Sequence, residues 1–171
     1  MVQRPDNRYF NTRRMRFKDF NYRTPGYYFV TVCHKDRSNV FARVLDRDLI
    51  PTPAGEMVQS SIHDIVRHFN DVRIDCSIVM PNHVHMLMGL NLTEGGRSTE
   101  SLIEVMNWWK TVTTKRYIDG VNLRAWPRFQ GKLWQTGYHD RIVRDQSELE
   151  AFRYYIANNP KKWIEDTFFE D

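Results

Sequence analysis

Residues 74–90 read IDCSIVMPNHVHMLMGL, and this stretch decides the fold. Ile74–Met80 and His83–Leu90 are two apolar runs of strand length separated by Pro81-Asn82. Proline fixes its φ and has no N–H to give a ladder, and asparagine suits a tight turn. The pattern predicts two strands joined as a hairpin, the second antiparallel to the first.

The elements on either side follow from the same kind of reading. Pro25-Gly26 is a turn signal, and Tyr27–Cys33 (YYFVTVC), rich in aromatic and β-branched residues, reads as a strand. A charged loop follows. Thr52-Pro53 looks like a helix start, and Met57, Ile62, Ile65, Val66 and Phe69 recur at helical spacing, which predicts a helix over 53–69. Beyond the hairpin, Glu94-Gly95-Gly96 marks a loop. Ser98 is the expected cap of a helix running to Ile118, with Leu102, Val105, Met106, Trp109 and Val112 on one side and Gly120 ending it. Residues 121–133 read as a loop and Tyr138–Arg144 as a fourth strand. Ser147 and Glu150 have capping-box spacing for a last helix that stops near Pro160. The order β-α-β-β-α-β-α places the chain in the α+β class, a split βαβ pattern with an antiparallel sheet and one final helix. No repeat, low-complexity segment or linker divides residues 25–171, which read as one domain.

The 171 residues carry a formal net charge of +4 and a pI near 9.1. That excess suits a polyanionic partner without requiring one. Residues 1–24 form an arm rich in arginine, including Arg13, Arg14 and Arg16, with Tyr9, Phe10, Phe17, Phe20 and Tyr22 interleaved. Such an arm either lies over the domain or grips nucleic acid, guanidinium on phosphate and ring on base. Cys33 and Cys76 sit in apolar runs and read as buried small hydrophobes of a reducing compartment. No apolar run has the length of a membrane span, and no apolar segment follows the basic N-terminus as in a secretory signal. The expected location is the cytoplasm.

His83 and His85 stand two apart on a predicted strand, so their side chains share one face and can converge on a cation. With six histidines in the chain, chance supplies such a pair in roughly one sequence in five. The last helix adds weight. Around a buried stripe centred on Phe152, Leu149, Tyr155, Ile156 and Asn159 fall inward, while Tyr154 falls outward. Tyr155 and Asn159, at i and i+4, stack on one face. A core tyrosine with a hydrogen-bonded hydroxyl has the same periodicity.

The string Met80-Pro81-Asn82-His83-Val84-His85 resembles the His-hydrophobic-His motif of HUH endonucleases. More closely it is similar to IS200-like transposases and REP-associated tyrosine transposases. Matching segments run in order along the chain. They are Gly26–Val32, Trp134–Arg144 (WQTGYHDRIVR) and Tyr155–Trp163 (YIANNPKKW), within a likeness spanning about residues 12–166. The resemblance implies a ferredoxin-like sheet with a nucleophile helix packed nearby. It implies His83 and His85 as metal ligands, Tyr155 as nucleophile and Asn159 as third ligand, where relatives also place Gln. It implies a divalent metal, Mg²⁺ or Mn²⁺, and single-stranded DNA carrying a hairpin as substrate. Cleavage and rejoining would pass through a 5′-phosphotyrosine link, in a homodimer or a monomer.

His139, Lys110 and Lys115 are further candidates for DNA contact, against the ordinary reading of surface residues. Trp108 and Trp109 are adjacent, so one faces away from the core stripe, as a base-stacking platform or as cover. A different class remains open: a nucleic-acid-binding protein on the same fold without catalysis, its affinity independent of His83 and His85. A replication initiator or relaxase is a third reading, though such proteins commonly carry extra domains.

Overall fold

The computed structural model describes residues 20–92 and 100–165, with no account of the side chains at 164 and 165. Most of the arginine-rich arm, with Arg13, Arg14 and Arg16, lies outside the described residues, as do Glu94-Gly95-Gly96 and Ser98. The elements are β1 (Gly26–Cys33), β2 (Ala42–Leu45), β3 (Asp48–Pro51), α1 (Pro53–His68), β4 (Val72–Val79), β5 (His83–Leu90), α2 (Leu102–Arg124), β6 (His139–Ile142) and α3 (Gln146–Asn158), followed by a 3₁₀ segment Pro160–Glu165. The main sheet is four-stranded in the order β4-β5-β1-β6, and each neighbouring pair is antiparallel. This is the ferredoxin-like α+β arrangement, with α3 added.

Strand alternation splits the core in two. Val30 and Val32 of β1 and Val84, Met86, Met88 and Leu90 of β5 pack with Val58, Ile62 and Ile65 of α1 and with Leu102, Val105, Met106 and Trp109 of α2. The odd-numbered neighbours Phe29 and Leu87 meet Leu149, Phe152 and Ile156 of α3 on the other face. β5 is therefore buried along its whole length, as a central strand covered on both faces must be.

Several local expectations are corrected. The charged loop before α1 contains the two-stranded hairpin β2–β3. Its turn residues Asp46 and Arg47 have φ of 49° and 73°, the mirror-image turn that matches strand twist. The usual Asn-Gly or Asp-Gly signature is absent, which hid it. In α1 the inward stripe includes Val58, and Val66 is exposed. The cap of α2 is Ser101, in a capping box with Glu104. Gly120 does not end α2. It lies inside the helix, where a Cβ would sit 2.1 Å from Trp126 Cε3. The helix ends at Ala125, in the left-handed region at φ 55°. Thr113 rather than Val112 continues the buried stripe, and Trp134 Nε1 donates to its hydroxyl across 2.9 Å. α3 is capped by Asp145, whose carboxylate accepts from the Glu148 N–H at 2.9 Å. The Ser147–Glu150 spacing is therefore not the cap.

Residues 20–24 of the predicted arm are part of the domain. Tyr22 is buried, its carbonyl accepts from the Leu102 N–H at 3.0 Å, and Asn91 Nδ2 donates to the Arg23 carbonyl. Cys33 and Cys76 are free thiols, the first buried and the second half-buried. Among the described residues no helix is long and apolar enough to cross a membrane.

Candidate active site

His83 and His85 project from β5 toward α3, and both are fully buried. Their Nε2 atoms face each other at 2.9 Å. Each ring is held from behind. Asn82 Nδ2 donates to the Arg37 carbonyl at 2.9 Å, which turns Oδ1 toward His83 Nδ1, also at 2.9 Å. An amide oxygen only accepts, so His83 Nδ1 carries the proton and Nε2 the lone pair. His85 Nδ1 lies 2.8 Å from Thr31 Oγ1. A hydroxyl can donate or accept, so His85 can take either tautomer. When Nδ1–H donates to Thr31, both Nε2 lone pairs point at one place, as a cation requires.

Burial, then the neighbouring His85, then the Arg37 charge hold His83 well below the ordinary histidine range. Burial pushes His85 down to about 3. Both imidazoles are therefore neutral near neutral pH, the form that ligates metals. Two donors at right angles about 2.1 Å from one ion lie about 3 Å apart, so the observed spacing suits a small divalent cation. Among the described residues no three His, Cys, Asp or Glu side chains converge on a metal-binding point. An ion here would be held by two imidazoles and weaker donors, with positions left open for a substrate.

α3 brings the other half of the site. Tyr155 faces inward and is half-buried, while Tyr154 is 49% exposed. The Tyr155 hydroxyl lies 3.5 Å from His85 Nε2. Phe29 sets this distance by stacking on Phe152 at 4.4 Å and on His85 at 5.2 Å, with the Tyr155 ring edge-on at 5.9 Å. Asn159, one turn on, is buried at the C-cap of α3. The 3₁₀ segment then returns Trp163 to stack on His83 at 5.8 Å. α3 is tied to the sheet by Arg153, whose Nε and Nη2 donate to both oxygens of Asp75 at 2.8 and 2.6 Å. Asp75 sits at a β-bulge of β4 between Ile74 and Cys76. The extra residue changes which face follows: Ile74 packs with the two-helix core and Cys76 with α3.

The other predicted residues separate by face. His139 pairs with Thr31, which pairs with His85, so all three share the α3 face, and His139 is exposed. Lys110 and Lys115 belong to α2, on the opposite side of the sheet. Lys110 Nζ donates to the carbonyls of Gln135 and Gly137 at 2.7 and 2.9 Å, which gives it an internal role fastening the segment before β6. Lys115 is exposed. Trp109 is buried, and Trp108 stacks on His68 at 4.3 Å, which makes it cover for the end of α1. Thr31, Asn82, Phe29, Arg37 and Trp163 were not singled out from the sequence as site residues. Only Asn82 carries a signal, its place beside the histidine pair.

Residues 22–159 match the protein family described as "Transposase IS200 like". The chain belongs to that family and is by descent a transposase. An uncharacterized protein of Haemophilus influenzae (strain ATCC 51907 / DSM 11121 / KW20 / Rd) is 29% identical over 170 residues, covering 93% of each chain. The solved structure of the REP-associated tyrosine transposase bound to a REP hairpin aligns with TM-score 0.58 and 21% identity, over 86% of this chain and 74% of that one. A crystal structure from Deinococcus radiodurans R1, assigned as a transposase, aligns with TM-score 0.51 and 18% identity, over 82% and 96% of the two chains. These two structures share the fold.

Proposed function

We propose that this transposase is a metal-dependent single-strand DNA endonuclease and strand transferase, with Tyr155 as nucleophile and His83, His85 and Asn159 as metal-holding residues. The observation that carries the reading is the 3.5 Å approach of the Tyr155 hydroxyl to His85 Nε2. It joins a helix and a strand that are 70 residues apart in sequence. A structure bound to a DNA hairpin among the protein's fold relatives supports hairpin-bearing DNA as substrate.

Tyrosine is a weak nucleophile near neutral pH, since its unperturbed pKa is about 10. A bound Mg²⁺ or Mn²⁺ supplies Lewis-acid polarisation of the phosphate. The chain's own residues do the rest. The edge contact with Phe29 and the Arg153–Asp75 pair hold the Tyr155 oxygen in place, and orientation of this kind lowers a barrier before any chemistry occurs. Asn82 and Thr31 fix the ring nitrogens. Trp163 and Phe29 cover the imidazoles against water. In the reaction the Tyr155 Oη–P bond forms and the P–O3′ bond breaks. The phenol proton goes to solvent and the departing 3′ oxygen takes one up. The 5′-phosphotyrosine ester conserves the bond energy, so a second 3′-hydroxyl can reverse the step on another strand.

The test is incubation with 3′-labelled hairpin oligonucleotides bearing randomised flanks, with Mn²⁺. The expected result is a covalent adduct mapping to Tyr155, lost with EDTA and in Tyr155→Phe, while DNA binding by Tyr155→Phe persists. An adduct formed by Tyr155→Phe overturns the nucleophile. DNA binding indifferent to His83 and His85, with no adduct, would instead indicate a non-catalytic binder.

A further inference from the structure

The segment between α2 and β6 is a strap laid back along α2. Trp126 covers Gly120. The Tyr117 hydroxyl donates to the Pro127 carbonyl at 3.0 Å, and Phe129 packs edge-on against the Tyr117 ring at 5.6 Å. Trp134 reaches Thr113, and Lys110 holds the carbonyls of Gln135 and Gly137. The strap from 126 to 137 therefore runs antiparallel to α2 from 120 to 110. Its two tryptophans are buried and Phe129 is half-buried, so the strap turns its rings inward and its charges outward. Residues 110–137 hold six Lys and Arg against one acidic residue, Asp119, in a chain whose net charge is +4. Lys110 is engaged internally, and Arg116 is held by Asp64 at 2.6 Å. Lys115 lies about 140° around α2 from Lys110, away from the strap. Arg124, Arg128 and Lys132 remain, all exposed and none in an ion pair among the described residues.

We propose that Arg124, Arg128 and Lys132 bind the phosphate backbone of a DNA duplex, the stem of the hairpin whose single-stranded flank is cut. The hairpin substrate is taken from the cleavage reading above. A site for single strands needs exposed rings on which bases can stack, and the strap offers none. A duplex keeps its bases stacked inside and presents phosphates, which guanidinium and ammonium groups neutralise without reading sequence. The scale fits. Lys132, two residues before Trp134, falls beside the middle of α2, so it lies about 13 Å along the helix axis from Arg124. That is about four phosphate spacings of one duplex strand. The position fits as well. The strap lies on the α2 side of the sheet and leads into β6, an edge strand. A single strand leaving the stem can round that edge to the histidines on the α3 face.

The test is affinity of the metal-free protein, in EDTA, for a blunt-ended DNA hairpin with no single-stranded flank, across a salt series. Arg128→Gln combined with Lys132→Gln should flatten the log–log slope by about 1.8, the share of two duplex phosphate contacts. Arg124→Gln should flatten it by about 0.9. Arg43→Gln combined with Arg47→Gln removes equal charge from the exposed β2–β3 turn and should leave the slope unchanged. All these side chains are exposed, so the variants should melt with the parent. With Mn²⁺ and a hairpin that carries a flank, the strap variants should need more DNA for half-maximal adduct formation and keep the saturating rate, the mark of an interaction made equally before and during reaction. A hairpin slope that the strap variants leave unchanged, or that the Arg43 and Arg47 pair changes as much, overturns the assignment. An equal loss on a single-stranded thymidine oligonucleotide overturns the duplex in favour of a single strand. If the hairpin slopes change as expected and the parent forms no adduct, the cleavage reading fails and the duplex surface stands.

Discussion

At the residue scale the site is governed by two buried imidazoles that stay neutral. Their pKa values in the folded chain lie below the ordinary value of 6.5. As pH falls below 6.5 the unfolded chain takes up protons that the folded chain refuses, so stability drops with falling pH, for His85 down to about 3. Above 6.5 the effect vanishes. Each pH unit should cost about 1.4 kcal/mol per histidine in that window. Metal-free protein should therefore show a melting temperature that declines between pH 6.5 and 5. The decline should be shallower in His85→Ala, measured by thermal unfolding across that range, where carboxylates scarcely titrate. Thr31 is buried against His85 Nδ1. Thr31→Val keeps the shape and removes the hydroxyl, which should cost about 1–3 kcal/mol by stranding a buried ring nitrogen. In a metal titration it should also weaken Mn²⁺ binding about 10-fold or more. A valine variant with unchanged stability and unchanged Mn²⁺ affinity would remove Thr31 from the site.

At the element scale the question is how α3 is held over the histidines. The bulge in β4 aims Asp75 at Arg153, and the pair depresses the Asp75 carboxyl, first through the Arg153 hydrogen bond. Asp75→Asn removes the charge while keeping the size. The expected outcome is slower adduct formation with a smaller loss of Mn²⁺ affinity, because Tyr155 and Asn159 move with α3 while the two histidines do not. A matched loss of Mn²⁺ affinity would show that the pair supports the strand instead. On the other face, α1 comes very close to the segment before β2. A Cβ on Gly55 would lie 1.9 Å from the Phe41 carbonyl oxygen. Alanine in a helix is favoured over glycine by about 1 kcal/mol, but backbone cannot yield as a flexible side chain does. Gly55→Ala should therefore destabilise by more than about 2 kcal/mol in denaturant unfolding, the reverse of what helix propensity alone predicts.

At the scale of the whole molecule the sheet separates a large core from a small one. α1 and α2 share the extensive cluster that includes Trp109 and Tyr117, whereas α3 rests on a few side chains around Phe29. Local opening follows the amount of apolar contact that must be broken. In native-state hydrogen exchange the amides of α3 should exchange well before those of β1, β5 and α2. Uniform protection across all three helices would contradict this two-tier arrangement. With Tyr155 as the proposed nucleophile, its place on the less firmly held layer would suit a reaction in which DNA enters between the tyrosine and the histidines.

Much of this was legible in the sequence, because it depends on local spacing. A period of two places His83 and His85 on one face, and a period of 3.6 turns Tyr155 inward and Tyr154 outward, whatever surrounds them. Element type and order followed from the same periodicities, and the IS200-like family from motifs in sequence order. Cap positions shifted by a few residues because several Ser, Asp and Glu residues compete for them, and only the backbone path selects one. The tertiary structure alone decided what is non-local. Register puts Thr31 beside His85 and His139 in the same row, the choice of face puts α3 over the histidines and α2 behind them, and Asn82 ties the Arg37 turn to His83. No single stretch of chain encodes these relations, since each depends on packing between segments that meet only after folding.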